Sequence, residues 1–125
     1  MRRNFGPQEK MYRTTGPEAI IQDAIVKYLR AREWLVKETI GNMFQSGFPD
    51  VYAVHSKYGQ RWIEVKNHTS YKFTPAQMEF FPKLIAHGAG VWVLMAATDE
   101  EYKKLWLPCN FAEYAYRNIF TFHNK

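Results

Sequence analysis

Cysteine is almost absent from this 125-residue chain: Cys109 stands alone. One thiol closes no internal disulfide and builds no cysteine-based metal site, so the expected compartment is the reducing cytoplasm. Long apolar runs are missing too. None approaches the ~20 residues of a membrane-crossing helix. No apolar stretch of the kind a secretory signal needs follows Met1-Arg2-Arg3-Asn4-Phe5-Gly6-Pro7. Repeats and low-complexity segments are lacking, which excludes solenoid, collagen-like and coiled-coil architectures. The histidines His55, His68, His87 and His123 fall at no metal-ligand spacing.

What is present describes one globular domain. Hydrophobic residues make up 46% and charged residues 23%, ordinary for a folded domain of this length. Seventeen Lys and Arg face twelve Asp and Glu, a net charge of +5, which favours a polyanionic partner. Residues 1–14 lack periodicity and carry Arg2, Arg3, Lys10 and Arg13. They read as a basic arm ahead of a single domain over 15–125, or as a plain solvated terminus.

The pattern predicts α-β-β-β-α-β, a mixed sheet flanked by helices. Thr15-Gly16-Pro17-Glu18 has the grammar of a capping box opening a helix to about residue 33, with Ile21, Ile25, Tyr28 and Leu29 on its apolar stripe. Glu18 lies on that same stripe. Strands are expected over 34–40, 50–55 and 61–66, the last two as a hairpin turning near Gly59. Thr74-Pro75-Ala76-Gln77 repeats the helix-start grammar, with an end near Gly88 and an expected kink at Pro82. Val91 to Met95 reads as a buried strand. Thr98 to Glu101 reads as a third capping box opening a short helix to about Trp106, and another short helix is expected over 111–117. Tyr102, Trp106, Phe111, Tyr114, Tyr116, Phe120 and Phe122 suit a cover for the sheet edge or a dimer interface. The interface is the preferred reading, given how little core so short a chain can build.

One constellation carries chemistry. Side chains alternate along a strand, so Trp62, Glu64 and Lys66 share one face. A Glu and a Lys on an interior strand are costly to bury without a task. Asp50 starts the neighbouring strand, beside that face. Two converging carboxylates form a site for a hard cation such as Mg²⁺ or Mn²⁺, with the Val65 carbonyl as a third protein ligand. Lys66 can reach a water or phosphate there, Glu18 can add a direct or water-mediated contact, and Gln77 can orient Lys66, the water or a phosphate. Each has a plain alternative when taken singly: a helix cap for Glu18 and Gln77, a turn for Asp50, a surface ion pair for Glu64 and Lys66. The nearby His68, Tyr71 and Lys72, and Arg2, Arg3 and Arg13 of the arm, are candidate DNA contacts or ordinary polar residues.

Glu18-x3-Gln22, Gly47-Phe48-Pro49-Asp50, Ile63-Glu64-Val65-Lys66 and Thr74-Pro75-Ala76-Gln77, in this order, resemble the PD-(D/E)xK nuclease superfamily. Within it the chain is most similar to the VRR-NUC branch, over about residues 15–96. The resemblance implies a restriction-endonuclease-like α/β core. It implies metal ligation by Asp50, Glu64 and the Val65 carbonyl, with Glu18 as the helix-one acidic residue. Lys66 would be the catalytic lysine and Gln77 its support. It further implies a Mg²⁺- or Mn²⁺-dependent endonuclease like the small stand-alone phage and bacterial members, which are homodimers selective for branched DNA such as the Holliday junction. Such a protein would act in the bacterial cytoplasm. Rival readings are a flap, duplex-repair or restriction-type nuclease, a catalytically silent DNA-binding module of the same fold, and an accessory subunit whose aromatic tail binds a partner protein.

Overall fold

The computed structural model describes residues 16–39, 47–69 and 71–116. The basic arm expected over 1–14, the residues Thr15, Phe120 and Phe122, and most of the loop before Gly47 lie outside them. Helix α1 (Pro17–Ala31) begins one residue later than the capping-box reading. Its cap is Gly16, at φ 97°, with no side-chain hydrogen bond. Pro17 explains the shift, because proline suits the first helical position and disfavours helical geometry in the residue before it. Ile25, Val26 and Leu29 are buried at helical spacing. The helix ends where Glu33 takes φ 71° and Trp34 N–H returns to the Leu29 carbonyl at 3.1 Å.

Strands β1 (Leu35–Glu38), β2 (Val51–His55) and β3 (Gly59–Val65) form an antiparallel meander. The expected hairpin is present, with Val51 opposite Ile63 and His55 opposite Gly59. Helix α2 (Pro75–Ala86) then crosses to β4 (Val91–Leu94), which pairs parallel with β3, so the sheet order is β1-β2-β3-β4. The Thr74–Gln77 capping box is complete. Pro82 sits inside α2 with its ring on the exposed side, and the helix continues through it to Ala86. Helix α3 (Asp99–Tyr102) passes directly into a 3-10 turn (Lys103–Trp106). Only half of its expected box forms. Thr98 accepts the Glu101 N–H, but the Glu101 carboxylate turns to Met95 N–H (2.8 Å) and Lys104 (2.8 Å). Residues 111–116 form a last helical segment.

The sheet separates two apolar layers. Ile63, Val65, Trp92 and Leu94 face α1 together with Leu105 and Tyr102, while Val91, Val93 and Met95 face Phe81 of α2 and Phe111, Tyr114 and Ala115. Tyr102, Phe111 and Tyr114 are therefore core residues and not the interface that the aromatic pattern suggested. Trp106 and Tyr116 remain exposed. Two side chains close the outer margin of β4: the Asn110 amide pairs with both Val93 N–H (2.6 Å) and Val93 C=O (3.1 Å), and Glu101 takes Met95 N–H. No helix among the described residues is long and apolar enough to cross a membrane.

Candidate active site

The predicted cluster gathers at the end of β3, where the strand lies between β2 and β4. Its central place explains why Glu64 and Lys66 are 0% and 6% exposed. They stand two apart on one face and form an ion pair, Lys66 Nζ to Glu64 Oε2, at 3.0 Å. An ion pair this deep is held by geometry, since desolvating both charges offsets much of their attraction.

Gln77 supplies that geometry. Its Oε1 accepts Thr74 N–H at 3.0 Å and Lys66 Nζ at 3.3 Å, and its Nε2 donates to Glu64 Oε2 at 2.8 Å. A backbone N–H can only donate, so Thr74 sets which end of the amide is the oxygen and turns the Nε2 end toward Glu64. The box that starts α2 thus also orients the Glu64–Lys66 pair, and the capping and site readings of Gln77 hold together. Phe73 closes the other side, its ring centroid 5.0 Å from Lys66 Nζ.

Asp50 arrives from β2. Val51 is opposite Ile63, so the next position sets Asp50 beside Glu64 on the same face. Asp50 Oδ2 accepts Val65 N–H at 2.8 Å. Thr39, just past β1, anchors this corner: its hydroxyl donates to the Pro49 carbonyl at 2.8 Å and its N–H to the Asp50 carbonyl at 2.9 Å.

Gly47 explains the opening residue of that motif. It sits at φ 89°, and a β-carbon there would lie 2.9 Å from the Ala76 carbonyl oxygen in the first turn of α2. Gly47→Ala is expected to cost about 1–3 kcal/mol in urea unfolding through left-handed strain. The added clash would act on the turn that carries Gln77, so a variant of wild-type stability would contradict this packing.

Glu18 stands apart from the carboxylates. Its Oε2 accepts Asn67 Nδ2 at 3.0 Å. Among the described residues, no group of three or more His, Cys, Asp or Glu side chains is gathered closely enough to hold a metal ion. The oxygen donors at the β2–β3 corner are Asp50, Glu64 and the Val65 carbonyl. A set this sparse fits Mg²⁺, which keeps several waters of its own.

Of the candidate DNA contacts, His68 and Lys72 are exposed in the loop after β3. Tyr71 is half-buried, its ring 5.7 Å from that of Tyr114 and 6.4 Å from that of Phe73. Arg2, Arg3 and Arg13 lie outside the described residues. Sequence reasoning missed Asn67, Thr39 and the Gln22–Glu38 hydrogen bond of 2.8 Å. Asn67 left a signal as the residue following Lys66, and Gln22 as the last residue of the Glu18-x3-Gln22 motif.

No family model and no curated protein matches the sequence. Solved structures do. A chain described as a VRR_NUC domain aligns with 70% of this chain and 92% of its own length, at 23% identity and a TM-score of 0.60. A second, a VRR_NUC domain protein, aligns with 70% of this chain and 84% of its own, at 18% identity and a TM-score of 0.54. The chain thus has the VRR_NUC fold, a restriction-endonuclease-like mixed sheet between helices, as its motifs led one to expect.

Proposed function

We propose that this protein is a VRR-NUC nuclease, a Mg²⁺- or Mn²⁺-dependent endonuclease that hydrolyses DNA phosphodiester bonds. The observation that carries this reading is the buried Glu64–Lys66 pair, oriented by Gln77, with Asp50 on the adjoining strand. Asp50, Glu64 and the Val65 carbonyl would hold the cation, which when bound supplies charge neutralisation at the phosphate and lowers the pKa of water. Lys66 Nζ, steadied by Glu64 Oε2 and Gln77 Oε1, orients the attacking water or a non-bridging phosphate oxygen by hydrogen bonding. Gln77 Nε2 keeps the Glu64 carboxylate turned to its task. The excess of basic residues, including the arm with Arg2, Arg3 and Arg13 and the loop with His68, Tyr71 and Lys72, would provide the salt-dependent part of DNA affinity. Preference for branched DNA and action as a homodimer extend the reading through the VRR-NUC resemblance, because paired sites suit paired strands.

The test is cleavage of labelled four-way junction, flap, single strand and duplex with Mg²⁺ or Mn²⁺, comparing wild type with Asp50→Ala and sizing the protein by light scattering. The expected result is metal-dependent cutting of the junction by a dimer, lost in Asp50→Ala. Cutting confined to flaps or duplex would keep the chemistry and discard the junction preference. A folded wild type that binds DNA and cuts none of the four would establish a silent binding module instead.

A further inference from the structure

We infer that Tyr52 and Trp62 form a shelf on which an unpaired base of the DNA strand stacks while a neighbouring phosphate lies at the Asp50–Glu64 site. The inference rests on the nuclease reading above and adds to it the part of the substrate that is gripped. Strand register supplies the placement. Val51 is opposite Ile63, which sets Asp50 beside Glu64. Two residues further along the same face stand Lys37, Tyr52 and Trp62, opposite one another across β1, β2 and β3. Two strand residues span about 7 Å. That is close to the spacing of successive phosphates in an extended single strand, so a base adjoining the cut would meet these rings. The next row along the face is Leu35, Val54 and Gln60.

This part of the face is open among the described residues. The apolar layer under α2 takes in Trp62 but neither Tyr52 nor Val54. Tyr52 is half-buried, Lys37 is exposed and Leu35 is 72% exposed. The Tyr52 and Trp62 rings lie 4.8 Å apart at a tilt of 54°, and Phe48 meets Trp62 edge-on at 5.9 Å. The Tyr52 hydroxyl donates to Gln60 Oε1 at 2.8 Å, so the ring is held before a base arrives and loses little freedom on stacking. Charge selects the occupant. Lys37 shares the row and Lys66 the face, and the carboxylates on this face of the three strands are those of the site itself, Asp50 and Glu64. Aromatic rings beside cations and next to a phosphate site suit a nucleotide, and every base offers a π-face. A paired base leaves its stack only at a cost of a few kcal/mol. The shelf therefore favours DNA that is single-stranded or unpaired beside the cut.

The experiment is fluorescence anisotropy titration, in EDTA, of a labelled oligothymidylate and of an abasic strand of equal length. The full chain is compared as wild type, Tyr52→Leu and Tyr52→Phe, with thermal melting and light scattering of each. The abasic strand keeps every phosphate and lacks only the bases, so it reads charge alone. Wild type is expected to bind the oligothymidylate about 5- to 150-fold more tightly than the abasic strand, the effect of a stacked base. Tyr52→Leu is expected to remove most of that preference, and Tyr52→Phe to keep it. Equal wild-type affinity for the two strands overturns the inference, and this comparison needs no variant to fold. A folded Tyr52→Leu that keeps the preference overturns it as well. If that variant also turns a dimer into a monomer, the face belongs to a second copy of the chain instead. Cleavage in Mn²⁺ keeps the two readings distinct. A wild type that prefers the strand with bases through Tyr52, yet cuts no DNA, retains the shelf and loses the nuclease. One that cuts DNA without that preference retains the nuclease and loses the shelf.

Discussion

Lys66→Met is expected to cost this protein cleavage and stability at once. The ammonium is a donor to Gln77 and the ion-pair partner of a fully buried carboxylate. Methionine fills a similar volume but leaves Glu64 charged in the sheet without its cation. Breaking a buried pair from one side typically destabilises by about 3–5 kcal/mol. Cleavage is expected to fall about 100- to 1,000-fold or more, as when a fixed donor to a developing charge is removed. The paired change Glu64→Leu with Lys66→Met separates the two losses. Replacing both charges by apolar groups of similar size is often neutral or stabilising, so the double variant should regain most of the stability while remaining inactive. Urea unfolding and single-turnover cleavage read the two quantities independently. A Lys66→Met protein as stable as wild type would mean that the pair contributes nothing to holding the sheet together.

Gln77→Glu is expected to leave α2 intact and disable the site. Glutamate at the third helical position satisfies a capping box, and its carboxylate can still accept Thr74 N–H. A negative charge in the first turn also suits the helix dipole. The same substitution removes the Nε2 donor and sets a second carboxylate against Glu64 Oε2, where the donor now lies at 2.8 Å. Lys66 would then be shared between two anions. Cleavage should drop about 10- to 100-fold, the usual effect of losing an orienting partner, while far-UV circular dichroism stays that of wild type. Near-normal cleavage by Gln77→Glu would show that the amide serves the helix alone.

The parts of the site that could be read from the residues are those governed by short periods. Alternation along β3 puts Glu64 and Lys66 on one face whatever the sheet packs against, and a Gly-centred turn brings Asp50 back beside them. The Thr74–Gln77 grammar is equally local. Its connection to Glu64 needed the parallel pairing of β3 and β4, which swings α2 over the strand end. Asn67 with Glu18, and Thr39 with Pro49 and Asp50, join residues from different elements, and no periodicity announces such contacts. The cap of α1 falls at Gly16 because Pro17 suits the first helical position and disfavours helical geometry in the residue before it. Three residues of the aromatic cluster, Tyr102, Phe111 and Tyr114, went to the core for a quantitative reason. A four-stranded sheet with helices on both sides has more inner surface than the expected small core allowed, and Tyr102, Phe111 and Tyr114 are needed to fill it.

The Asn110 amide has a consequence for how copies of this chain can meet. By giving one acceptor and one donor to Val93, it imitates the backbone of an additional strand, and Glu101 does half the same for Met95. A foreign strand arriving at that margin finds Val93 N–H, Val93 C=O and Met95 N–H already engaged, which disfavours growth of the sheet past β4 there. The β4 border is thereby left a terminus of the sheet.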